Sequence, residues 1–118
     1  MKAQPLKIVD GGHVACSPAE ATHLVLNMPG PIPHRLLPVM IGGTRRGTGN
    51  WTWNGDTERP TLKPSISTIT TMRVYGEIKE VRCHTFVNDG KVQFLGDCTH
   101  ELAGTTVDLL DIEDDWSE

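Results

Sequence analysis

The sequence predicts a mostly β, single-domain protein: small antiparallel sheets in a β-sandwich-like arrangement, with one or two short helical turns. Apolar residues come in short bursts rich in β-branched and aromatic side chains, turn residues separate the bursts at close intervals, and helix-period stripes are scarce. The 118-residue length gives one hydrophobic core and excludes a second substrate domain. Twelve Gly and eight Pro are too many for a helical bundle and too few for a low-complexity chain.

Strands are expected at 6–9, 13–16, 23–27, 35–41, 51–53, 65–70, 81–87 and 92–95, each an apolar or β-branched run bounded by Gly, Pro, Asn, Asp or Ser. Between the second and third, Ser17-Pro18-Ala19-Glu20 suits a one- or two-turn helix, because Ser at the N-cap, Pro in the first turn and an early Glu all match the exposed amides there. Pro29, Pro31 and Pro33 donate no ladder hydrogen bonds and predict a loop or sheet edge over 27–33. The Gly-rich stretch 42–49 contains Arg45 and Arg46 but lacks the Lys-Ser/Thr ending of a phosphate loop, so it reads as a solvated loop. In 51–56, Trp51 and Trp53 face one way along a strand, and Asn54-Gly55-Asp56 supplies the turn that follows.

The strongest local signal is Asp89-Gly90 between two strand patterns, which fits a two-residue type I′ turn. That turn sets a register in which 88 faces 91, 87 faces 92 and 85 faces 94, so Cys83, Thr85, Val87, Val92 and Phe94 share the buried face. Continuing the two-residue period brings Cys98 and His100 to the same side, and leaves His84, Phe86, Gln93 and Leu95 on the other.

The formal charge of −4 hides an asymmetry: residues 101–118 hold seven of the 15 acids and no Lys or Arg, leaving a body of +3. The domain is therefore expected over 1–110, with an acidic flexible tail at 111–118. A body so weakly basic, opposed by such a tail, argues against nucleic acid as the partner. No apolar run approaches the roughly 18 residues of a membrane span, and no secretory signal pattern is present. Three cysteines, an odd number, argue against a disulfide scaffold, and a soluble cytoplasmic setting is expected.

Cys83, Cys98 and His100 have the donor types of a zinc site, with His34 as a fourth ligand, or His84 if the strand bulges. The competing reading makes the two thiols small buried hydrophobes and His100 an ordinary loop residue. A thiol nucleophile with a His partner is a third reading, for which Asp97 is the adjacent carboxylate. Trp51, Trp53, Asn54, Asp56 and Arg59 form a candidate binding surface for a protein partner, set against a plainer reading of the tryptophans as core anchors.

Four stretches carry a family resemblance: Trp-Thr-Trp-Asn-Gly-Asp at 51–56, Arg-Pro-Thr-Leu-Lys-Pro-Ser-Ile at 59–66, Cys-His-Thr-Phe-Val-Asn-Asp-Gly-Lys-Val at 83–92 running on to Gly104, and Thr-Val-Asp-Leu at 106–109. Over residues 23–110 the chain resembles a small family of phage and prophage proteins, a domain of unknown function often labelled "ammonia monooxygenase". Its distant relatives are zinc-knuckle-like proteins in bacterial operons with ubiquitin-like conjugation components. The label does not fit, since ammonia oxidation belongs to a membrane-embedded copper enzyme and this sequence has neither a span nor a copper site. The family's Cys-Pro-Gly-Cys knuckle corresponds here to Met28-Pro29-Gly30-Pro31, with His34 retained and both knuckle cysteines missing. The resemblance thus implies a phage-type accessory protein, a non-enzymatic binding module whose zinc-knuckle-like site is degenerate. A zinc-dependent hydrolase, with Asp97 or Glu101 as general base, is the alternative, and a nucleic-acid-binding protein the second.

Overall fold

The computed structural model describes residues 1–30, 34–41 and 51–112, with side chains for all of these except His34, Met40 and Ile41. The glycine-rich stretch with Arg45 and Arg46, the loop prolines Pro31 and Pro33, and the acidic residues 113–118 lie outside the described residues.

Among the described residues nine strands form: β1 (Ala3–Val9), β2 (Gly12–Ala15), β3 (His23–Asn27), β4 (His34–Ile41), β5 (Trp51–Trp53), β6 (Leu62–Val74), β7 (Glu77–Asn88), β8 (Lys91–Phe94) and β9 (Thr106–Asp108). They join in a single sheet of order β2-β1-β3-β4-β5-β6-β7-β8-β9. The mostly β, single-globule architecture read from the sequence is what forms. Its strands run on into one sheet because β4 pairs with β3 through residues 34–38 and with β5 through Val39–Ile41, the latter in parallel. The expected helix is one 3₁₀ turn, Pro18–Glu20. Among the described residues no helix is long and apolar enough to cross a membrane.

The sheet curls until its first strand meets its last segment. Lys2 donates through its amide to Thr57 O (2.7 Å) and through Nζ to Leu109 O (2.6 Å), while Ile112 N donates to Met1 O (2.7 Å). Inside the curl Leu24, Leu26, Leu37, Trp53, Leu62, Ile66, Val87, Val92 and Phe94 are buried in one cluster, while Leu6, Val25 and Ile112 form a smaller one on the opposite face of the sheet. Met28 is part of the main cluster.

The β7–β8 hairpin matches the expected register, with Asn88 opposite Lys91, Val87 opposite Val92 and Thr85 opposite Phe94. Asp89 and Gly90 both adopt positive φ, 52° and 75°, the backbone that a type I′ turn requires. The longest hairpin, β6–β7, extends well beyond the expected 65–70 and 81–87, to a turn at Tyr75-Gly76.

Candidate functional site

β6 enters the core at Leu62, opposite Val87, and re-enters at Ile66, opposite Thr85. Four steps on β6 are thus matched by two on β7, and residues 63–65 form a bulge facing Phe86. A bulge bends the strand and re-aims a side chain. Pro64 contributes no N–H to the ladder, which makes this a place where pairing is readily interrupted. Buried Leu62 and Ile66 hold the bulge at both ends, and Trp51 Nε1 donates to Ser65 O at 3.3 Å.

On β7 the two-residue period sends Cys83 and Thr85 into the core and turns His84 outward, where its side chain keeps 26% exposure. His84 Nε2 lies 3.0 Å from Ser65 Oγ. His84 Nδ1 lies 3.2 and 3.1 Å from the two carboxylate oxygens of Asp97. A carboxylate only accepts, so Nδ1 carries the ring proton, and Nε2 is left as the acceptor for the Ser65 hydroxyl. Ser65, His84 and Asp97 thus form a connected chain of hydroxyl, imidazole and carboxylate on the outer face of the sheet.

Asp97 reaches this position through a turn. The strand period ends at Phe94; Cys98 N then donates to Leu95 O (3.2 Å), and Thr99 N donates to Arg82 O (3.0 Å), returning the chain to β7. The His84 N–H donates to Cys98 Sγ and the Cys98 thiol donates to His84 O, both at 3.3 Å. Cys98 therefore grips the backbone of the residue whose ring Asp97 holds. Arg82 Nη1 stands 4.0 Å from Asp97, an exposed and weak ion pair.

Behind β7, on the core side, the structure brings Cys83, Cys98 and His100 together with their ligand atoms within 4.8 Å of one another. Cys98 gets there through the 95–98 turn and not by continuing β8. Burial pushes the Cys83 thiol up from its ordinary value; the buried Arg35 guanidinium beside it opposes this and Cys98 reinforces it. Burial, helped by Arg35, lowers His100, and Leu102 N donates to its Nδ1 at 3.3 Å. Two thiols and an imidazole so arranged could hold a metal ion, and their soft donor chemistry suits one. His84 does not belong to this group, since its ring faces the other side of the strand. His34 opens β4 opposite Asn27, and its side chain lies outside the described residues.

Of the residues expected to form a binding surface, Trp51, Trp53, Asn54, Asp56 and Arg59, the last four are tied together by contacts within their own loop. Trp53 is 1% exposed and donates from Nε1 to Asp56 O (3.2 Å). Asp56 Oδ1 accepts from the amides of Glu58 and Arg59, and Asn54 Oδ1 from those of Asp56 and Thr61. Asn54 and Asp56 are staples of their own loop, and Trp51 packs against the core cluster. Arg59 is exposed, its carbonyl oxygen accepting from Asn54 Nδ2 at 3.1 Å.

Sequence reasoning did not single out Ser65, considered His84 only as a metal ligand, and considered Asp97 only as an acid beside a thiol or a metal. The period-two rule already separated His84 from Cys83. The bulge that swings Ser65 toward His84 has no comparable sequence signal.

No curated protein and no solved structure matches the chain. A family model does match, over residues 34–95, which is more than half of the chain. That span holds Ser65 and His84 and stops two residues short of Asp97, and it ties the protein to bacterial ubiquitination-like systems. The chain belongs to the family described as bacterial ubiquitination-like system serine protease (BubE).

Proposed function

We propose that this protein is a serine hydrolase acting on an acyl bond of a polypeptide in a ubiquitination-like system, with Ser65 as nucleophile, His84 as general base and acid, and Asp97 as the group that orients His84. The observation that carries this reading is the unbroken contact chain from Ser65 Oγ to His84 Nε2 and from His84 Nδ1 to Asp97. Ser65 Oγ attacks the substrate carbonyl carbon while its proton passes to His84 Nε2. His84 returns that proton to the leaving nitrogen or oxygen as the carbonyl carbon's bond to it breaks. Water, giving a proton to the same nitrogen, then bonds to the acyl carbon; the carbon's bond to Ser65 Oγ breaks and His84 returns the proton to Oγ. Asp97 keeps the ring in the tautomer that accepts at Nε2 and stabilises the imidazolium formed in each step.

The family description supports the serine chemistry, and the reading displaces the non-enzymatic module that the sequence favoured. A fluorophosphonate probe distinguishes the two. The expected result is one adduct per chain, located at Ser65 by peptide mass spectrometry. Intact protein with no adduct after prolonged exposure would restore the binding-module reading.

The donor set of Cys83, Cys98 and His100 carries a second, compatible reading: zinc as a structural ion behind β7. Soft thiolates and imidazole are zinc's usual ligands. Both thiols would have to lose their protons to bind it, so affinity is expected to rise with pH. The group lies on the opposite face of β7 from Ser65, so such an ion would brace His84 and take no part at the reacting carbonyl. Elemental analysis of protein purified without chelator is expected to find close to one equivalent of zinc; under about a tenth of an equivalent overturns this reading.

A further inference from the structure

The β6–β7 ribbon projects past the rest of the sheet. β5, the other neighbour of β6 among the described residues, pairs with it only at Leu62 and Lys63. The hydrogen-bonding direction along the ribbon follows from its register. Val74 and Glu77 flank the two-residue turn and face each other as a hydrogen-bonded pair, so even-numbered residues of β6 point their amides and carbonyls at β7. The bonds that His84 O and Arg82 O accept from the 95–99 segment confirm the alternation, because even-numbered residues of β7 point away from β6. Ser67, Ile69, Thr71 and Arg73 therefore aim their backbone N–H and C=O groups at the open side of β6, and all four are exposed. Among the described residues no strand pairs with this row of groups, which starts two residues from Ser65.

Two further features mark the ribbon as unfinished. A two-stranded ribbon is marginal in water and is stabilised by gaining a third strand. It also exposes Ile69, Ile78 and Tyr75, an apolar load unusual for a solvated hairpin.

We propose that the open edge of β6, from Ser67 to Arg73, is the substrate cleft, and that it binds the acyl-donating segment of the substrate as an added extended strand. This deepens the serine hydrolase reading and rests on it. Main-chain pairing of this kind recognises any extended, proline-free polypeptide tail and leaves side-chain choice to the flanking pockets. The acyl half is the part that must stay ordered through both steps, because it remains bonded to Ser65 between them. An edge leading straight to that serine is placed to hold it.

The test uses the full wild-type chain and peptidyl diphenyl phosphonates of one and four residues, run with glycine, leucine and lysine at the reacting position. The four-residue probe is expected to inactivate at least about tenfold faster than its one-residue counterpart, the gain that two or three backbone hydrogen bonds supply. Methylating its backbone nitrogens one at a time should remove the gain at alternate residues only. In the adduct, amide exchange of Ser67, Ile69 and Thr71 should slow, whereas Thr68 and Thr70 are already protected in the free protein. No length gain, or a gain insensitive to methylation, overturns the edge while fluorophosphonate labelling of Ser65 leaves the triad standing. Failure of both probes overturns both. Protection of Ser67, Ile69 and Thr71 in the free protein that grows with its concentration would give the edge to a second copy of this chain, and would also overturn the proposal.

Discussion

Replacing Asp97 by Asn is expected to lower the second-order rate of fluorophosphonate labelling and of ester hydrolysis by about 10³–10⁴-fold, with the fold intact. The substitution keeps the shape of the side chain and removes its ability to act only as an acceptor. An amide NH₂ facing Nδ1 favours the ring tautomer with its proton on Nε2, and that nitrogen then cannot take the proton of Ser65. The Asp97 side chain is 46% exposed, so the substitution disturbs little core packing, and a urea midpoint equal to that of wild type checks that the fold is kept. Ser65→Ala removes the adduct altogether, and His84→Ala should fall at least as far as Asp97→Asn, because the three side chains act as a unit. Equal rates for Asp97→Asn and wild type, measured side by side at neutral pH, would remove the carboxylate from the mechanism.

Trp53→Ala is expected to destabilise the protein by about 3–5 kcal/mol, read as a lower urea midpoint at unchanged m-value. Trp53 is among the largest fully buried side chains and joins β5 to the main core cluster. The substitution leaves a cavity and unpairs the carbonyl of Asp56, which accepts from its ring nitrogen. A tryptophan serving as a recognition platform would instead leave stability within about 0.5 kcal/mol when truncated. The two outcomes are far enough apart for one denaturation experiment to decide between core anchor and binding surface. Weaker packing of β5 should also loosen the 63–65 bulge, since Trp51 on the same strand donates to Ser65 O.

The thiol cluster and the triad are two sides of one strand. Cys83 faces the core and His84 the solvent because successive β residues alternate, and Cys98 touches both through its bonds to the backbone of His84. The cluster that the sequence put forward as a chemical centre is thus, in the serine hydrolase reading, the support for the one beside it.

What the sequence determined by itself was local. Period-two alternation placed the strands, Asp89-Gly90 set the β7–β8 register through its demand for positive φ, and the same alternation separated Cys83 from His84. These effects act over a few residues and need no distant partner. The tertiary structure decided the rest. The number of residues in the 63–65 bulge depends on how β6 meets β5 on one side and β7 on the other, and β4 joins the antiparallel strands to the remainder through a parallel pairing with β5. The turn after Phe94 closes only because Thr99 and Cys98 find Arg82 and His84. A mostly β, single-domain chain was therefore legible from the spacing of its apolar bursts. The meeting of Ser65, His84 and Asp97 was not, because it depends on two departures from regular strand geometry that only long-range pairing specifies.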